Sequence, residues 1–293
     1  MKKYGINLLS IFSIVISLCG TGACTSQSAQ QETIYVSILP LRGLVHEIVG
    51  EDLPIEVLVP AGASPETFEP TPRQFIALNQ ARLVMNVGLL DFEAALLEKI
   101  EDRKKIVNLN KNIKLIAGTC SHAKHSEHKE HHHAHGIDPH IWTSPKALLQ
   151  MAENAYEAIR YTYPDSVKYE INYRKLKQIL EDLDSTVTRK IETSGVRTIV
   201  IYHPALTYYA RDYGLQQIAI EEDGKEPSAR HLARLIETAR EGDVRNIFFQ
   251  SQFPASVVEV IANDIGAKAI QIDPLCENAI GNIEMITDLI TAQ

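Results

Sequence analysis

Short runs of β-branched and aliphatic residues alternate along this chain with longer stretches whose apolar positions recur every three or four residues. The short runs predict strands at Thr33–Leu39, Ile55–Val59, Leu83–Val87 and Lys105–Leu109 in the first half. A second series follows at Thr198–Tyr202, Gln216–Ile220, Asn246–Gln250 and Lys268–Ile272. Helical spacing lies between them, for example at Leu41–Val49, Pro72–Asn79, Ala229–Glu241 and Ala255–Ile265. Strand–helix alternation implies βαβ units and mostly parallel sheets. Two such series imply two α/β domains of similar build.

The segment between the series has a different character. From Asp165 to Thr193 there is neither Gly nor Pro, and Leu176, Leu180, Leu183, Val187 and Ile191 recur at spacings of three and four. Pro164-Asp165-Ser166 supplies a start and Ser194-Gly195 a stop. Such a helix is a rod of about 43 Å at 1.5 Å per residue. A flexible hinge would carry Gly and Ser instead, so a stiff helix is expected to join the lobes and restrict their movement. The organisation expected is an N-terminal lobe at residues 33–164, a linking helix at 165–194 and a C-terminal lobe at 195–293.

Composition refines this picture at two points. A content of 45% apolar and 23% charged residues over 293 positions suits a globular chain that builds its cores without staples. The net charge of −8 excludes the basic footprint of a nucleic-acid binder. At the N-terminus, Lys2 and Lys3 precede an apolar run from Ile6 to Leu18, then Gly20, Thr21, Gly22 and Ala23 lead to Cys24. That is the order of a secretory signal, and its apolar run is too short to span a bilayer comfortably. The small residues before Cys24 resemble a bacterial lipoprotein cleavage site, although Thr21 stands where Leu is usual. Residues 1–24 are therefore expected to be a signal peptide cleaved before an acylated Cys24, with a polar tether over 25–32. The protein is expected outside the cytoplasm, in the cell envelope or periplasm, held to a membrane by its lipid anchor. Export permits a Cys120–Cys276 disulfide without requiring one.

Ligands of open parallel sheets bind beyond the carboxyl ends of the strands. Four metal-competent side chains occupy suitable places. Glu66 lies in PAGASPETFEPTP after Ile55–Val59, and His140 in DPHIW. His203 directly follows Thr198–Tyr202, and Asp273 directly follows Lys268–Ile272. A lone His or Asp after a strand usually caps a turn; four such positions, two in each half, point to a cleft between the lobes. Prolines at 139, 204 and 274 restrict the backbone beside three of them. Two imidazoles and two carboxylates suit zinc, manganese or ferrous iron, and affinity is expected to fall as pH drops. Asp138 is read as orienting the His140 loop, Trp142 as packing it, and Gln250 as supporting the ligands. His46 and His231 are read as surface or packing residues, and Glu226 as a helix cap or a cleft residue.

These stretches resemble the metal-binding solute receptors of bacterial ABC importers, the zinc and manganese group called cluster A-I. The matching segments are PAGASPETFEPTP, DPHIWTSP, NYRKLKQILEDLD, YHPALTYYARDYGL and IDPL, in order over almost the whole mature chain. The resemblance implies two (β/α)4 lobes bridged by a rigid helix, and metal ligands at Glu66, His140, His203 and Asp273, the last used by only part of the group. It implies as partners an importer permease and, through it, an ATPase. A monomer with no catalytic role is expected. Metal bridging Glu66 and His140 to His203 and Asp273 would stabilise a closed form for the permease to recognise.

One departure matters. Zinc members usually have His where this chain has Glu66, a harder ligand that favours manganese or iron. A second feature pulls toward zinc. The segment CSHAKHSEHKEHHHAHG carries His122, His125, His128, His131, His132, His133 and His135 with almost nothing apolar. It cannot build a core and is expected to be a weak auxiliary zinc collector or sensor. Zinc is thus the expected metal, with Mn2+ and Fe2+ as alternatives. A periplasmic zinc hydrolase is the alternative of another class, but no HExxH run or GxSxG elbow is present. A metal buffer or adhesin independent of any transporter is a third reading.

Overall fold

The structure, a computed structural model, describes residue 1 and residues 31–118, 136–222 and 225–292. The signal segment with Cys24, most of the tether, Cys120 and the seven loop histidines lie outside the described residues. Among the described residues, no helix is long and apolar enough to cross a membrane.

The first half forms β1 (Gln31–Val36), α1 (Leu39–Val49), β2 (Ile55–Val57), α2 (Pro72–Gln80), β3 (Ala81–Asn86), α3 (Asp91–Leu97) and β4 (Ile106–Asn108). Then come α4 (Pro145–Thr162) and α5 (Val167–Ser194). The second half repeats the plan with β5 (Thr198–Ile201), α6 (Thr207–Asp212), β6 (Gln216–Ala219) and α7 (Ala229–Glu241), followed by β7 (Asn246–Gln250), α8 (Ala255–Ile265), β8 (Lys268–Ile272) and α9 (Ala279–Thr291). Each half holds a four-stranded sheet, ordered β2-β1-β3-β4 and β6-β5-β7-β8, and every pairing is parallel. The two-lobe α/β architecture and its linking helix are those expected from the alternation. Every residue of β5 and β7 is buried, because helices cover both faces of a parallel sheet.

Element ends moved by a few residues for local reasons. β1 stops at Val36 rather than Leu39 because α1 begins there, with Pro40 in its first turn, where a missing N–H costs nothing. Thr71 and Gln74 close a capping box over α2, and the Gln74 amide donates to the Leu58 carbonyl at 2.8 Å. Both ends of the Glu66 loop are thereby tied to the sheet. The expected stripe on α5 is the buried one: Tyr169, Leu176, Leu180, Leu183, Val187 and Ile191 face inward. That face packs on α1, α4 and α9, so the linking helix shares a continuous apolar core with both lobes. Gly195, left-handed at φ 76°, ends it.

One residue of α1 runs against propensity. Gly43 lies mid-helix, where glycine costs about 1 kcal/mol relative to alanine. The reason is tertiary: a Cβ at this position would overlap the backbone carbonyl of Glu277, in the loop between β8 and α9. The adjacent Arg42 pairs with the Glu277 carboxylate.

Candidate metal centre

The carboxyl ends of the strands from both sheets open onto one cleft of about 430 Å³, counting its open mouth. Glu66 enters from the loop after β2, where its backbone N–H donates to Ser64 Oγ at 3.3 Å. His140 caps a single 3-10 turn, Ile141–Thr143, that leads into α4. His203 stands two residues beyond the end of β5. One ligand atom from each of Glu66, His140 and His203 lies within 4.8 Å of the others. His203 Nε2 is 3.0 Å from Glu66 Oε1 and 3.3 Å from His140 Nε2. Both imidazoles thus direct Nε2 at a common point, and both are buried while Glu66 stays half-exposed.

Each imidazole is held from behind. Asp138 Oδ1 lies 3.0 Å from His140 Nδ1 and also accepts the His140 backbone N–H at 2.9 Å. Glu221 Oε1 lies 2.8 Å from His203 Nδ1. A carboxylate on Nδ1 sets the tautomer that leaves Nε2 free for a metal, and it raises the basicity of the ring. Trp142 backs His140 at 5.2 Å between ring centroids, and Phe253 stacks on His203 at 5.4 Å and 18°. Gln250 clamps the His203 backbone, accepting its N–H at 3.4 Å and donating to its carbonyl at 2.9 Å. Thr143 Oγ1 bonds the carbonyls of His140 and Ala205, tying the two ligand turns together.

These contacts set the charge states. Burial alone would lower the His203 pKa, but the hydrogen bonds its ring donates to the carboxylates of Glu221 and Glu66 raise it to about 9. Burial raises the carboxyl of Glu66, yet the bond and charge of His203 bring it below its ordinary value. Asp138 is likewise lowered by His140 against its own desolvation. A compact anionic pocket around two imidazoles is well matched to a small divalent cation.

Of the four ligand candidates, the structure brings together Glu66, His140 and His203. Asp273 stays outside the group: it is exposed, and its Oδ1 accepts the Leu275 N–H at 2.9 Å, closing its own turn. Its neighbours Pro274 and Leu275 do line the cleft. The orienting place of Asp138, the packing of Trp142 and the support from Gln250 match expectation. His46 bonds Glu51 at the surface, and His231 bonds the Ala219 carbonyl. Ser228, not Glu226, caps α7, and Glu222 accepts the Ser228 N–H. Glu221 was not singled out in the sequence, although it follows strand β6 as closely as His203 follows β5. Among the described residues no second group of three His, Cys, Asp or Glu converges in this way.

Comparison with known proteins places the chain in a family. The sequence profile of the family described as "Zinc-uptake complex component A periplasmic" (ZnuA) matches residues 34–292. The high-affinity zinc uptake system protein ZnuA of Bacillus subtilis is 29% identical over 277 residues, covering 91% of this chain and 87% of that protein. The zinc-binding lipoprotein AdcA of Streptococcus pneumoniae is 25% identical over 281 residues, covering 94% of this chain; the chain spans only 56% of AdcA. A crystal structure of ZnuA superposes with a TM-score of 0.78 at 31% identity, covering 89% of this chain and 98% of that one. A zinc-bound deletion mutant of ZnuA gives the same score. The periplasmic zinc-binding protein TroA of Treponema pallidum, at 20% identity and a TM-score of 0.73, shares the fold. With two parallel-sheet lobes, a bridging helix and a histidine–carboxylate cleft between them, and a profile match from residue 34 to 292, the chain belongs to the ZnuA family.

Proposed function

We propose that this protein is an extracytoplasmic receptor that captures one divalent transition metal, zinc foremost, and hands it to an ABC importer. The observation that carries this reading is the convergence of Glu66 Oε1, His140 Nε2 and His203 Nε2 within 4.8 Å, each imidazole already oriented by its own carboxylate. Two imidazoles and one carboxylate form a zinc set with a fourth position for water or a further ligand. Asp273 is the carboxylate in reserve for that position: its Oδ1 accepts the Leu275 N–H, and its Oδ2 is the oxygen it would offer. The protein binds and releases without turnover. Asp138 and Glu221, the buried carboxylates nearest the cluster, are both engaged on imidazole Nδ1 atoms and are not poised as general bases.

Export, acylation at Cys24, the auxiliary histidines 122–135 and delivery through a permease and its ATPase belong to the same reading, supported by the zinc-uptake description of the family and the lipoprotein name of the AdcA relative. The test is metal analysis of protein lacking residues 1–24 and 120–136, dialysed anaerobically against equal zinc, manganese and ferrous iron. One zinc per chain is expected, and none in the His140→Ala, His203→Ala double variant. Preferential manganese or iron would reassign the cargo to the harder ions that Glu66 favours. No retained metal would overturn the receptor reading.

A further inference from the structure

The mid-helix Gly43 and the metal cleft are joined by one short loop. Residues 273–278 run from the end of β8 to the cap of α9, and Pro274 and Leu275 line the cleft with Glu66, His140 and His203. At its far end the same loop lies on α1 of the first lobe. The Glu277 carbonyl occupies the space a Cβ on Gly43 would need, with the carbonyl carbon 3.0 Å from that position, and the Glu277 side chain pairs with Arg42. Near the cleft, Trp142 Nε1 donates to the Pro274 carbonyl at 2.8 Å, and Asn282 donates to the Asp273 carbonyl at 2.8 Å.

The loop between these anchors is internally bonded. Leu275 N–H reaches Asp273 Oδ1, Cys276 N–H reaches the Asp273 carbonyl, and Ala279 N–H reaches the Glu277 carbonyl. A segment so braced moves as a unit: a displacement forced at Glu277 passes to Pro274, three residues away. Trp142 in turn packs on the ligand His140.

We propose that Gly43 is a positioning residue for metal binding, admitting the Glu277 carbonyl against α1 so that the β8–α9 loop docks at the height that forms the cleft wall. It touches no ligand itself. The proposal rests on the cleft being the metal site and explains why a helix-weakening residue stands in the interior of a buried helix. A methyl group there has backbone in front of it, not a flexible side chain, so the loop must yield.

Trp142 is the single tryptophan of the chain, so its emission reports the docking directly. Gly43→Ala, stripped of metal, is expected to shift Trp142 emission to the red as the bond to Pro274 loosens. Zinc affinity measured by chelator competition is expected to weaken roughly tenfold, mainly through faster release, as for other supports behind metal ligands. Unchanged emission would overturn the proposal. So would a shifted emission with zinc release at the wild-type rate. If Gly43→Ala does not fold, Arg42→Ala decides: faster amide exchange over residues 274–278 with faster zinc release supports the docking, and wild-type values for both sink it. A wild-type protein that held no zinc would remove the proposal with the receptor reading, while the emission shift would still report whether α1 carries the loop.

Discussion

His203 stands between two carboxylates, Glu221 on Nδ1 and Glu66 on Nε2, and they hold its proton up to about pH 9. A metal at Nε2 must displace that proton. Apparent affinity is therefore expected to fall by roughly tenfold per pH unit below that value. Calorimetry at pH 7.5 in buffers of different ionisation enthalpy should count about one proton released per metal; none released would contradict the assignment. The sign for folding is fixed by the same shift. A raised imidazole pKa stabilises the folded state below the ordinary value of 6.5, and that contribution disappears as pH rises through about 9. Protein stripped of metal should melt lower at pH 9.5 than at pH 7. Glu221→Ala is expected to weaken metal binding by about 10–100-fold with the three ligands intact; an affinity within twofold of wild type would make Glu221 incidental. His203 itself was legible because it follows a strand whose end is easily seen. Glu221 satisfies the same criterion, but its burial depends on the chain folding back to His203.

The linking helix α5 is the element most fully legible in advance, since a buried stripe at spacings of three and four is local information. Its expected and observed ends differ by a residue or two. Leu180 at its centre is fully buried, so Leu180→Ala should cost about 2–5 kcal/mol in urea unfolding. Because α5 carries no ligand, the zinc stoichiometry of the folded variant should stay at one. A loss of metal without loss of stability would mean that the helix does more than join and brace the lobes. Strand ends were less legible. β1 gave up residues to α1 because Pro40 is accommodated in a first helical turn, a competition that strand patterning does not register. Gly43 reads as a flaw in an apolar helix until the carbonyl of Glu277 is seen against it.

On the scale of the whole molecule, α5 shares its core with α1, α4 and α9, so one apolar core braces the two lobes. Small-angle scattering of stripped and zinc-loaded protein should give radii of gyration equal within error; a contraction of several ångströms would indicate a hinge that this packing does not provide. Equal radii would mean that metal capture depends on loops at the cleft and not on swinging lobes. The α/β class, the two-lobe division and the long connecting helix were determined by the sequence alone, together with four candidate ligand positions, of which the fold brings three together. Periodicity reports which face of an element is buried, and parallel strands all deliver their carboxyl ends to one edge. Only the tertiary structure decided that Glu221 stands behind His203, that Asp273 lies outside the converging group, and that Arg42 and Gly43 meet a loop some 235 residues further along the chain. Those outcomes rest on distances between remote segments, and the packing of whole lobes sets such distances where no local pattern can.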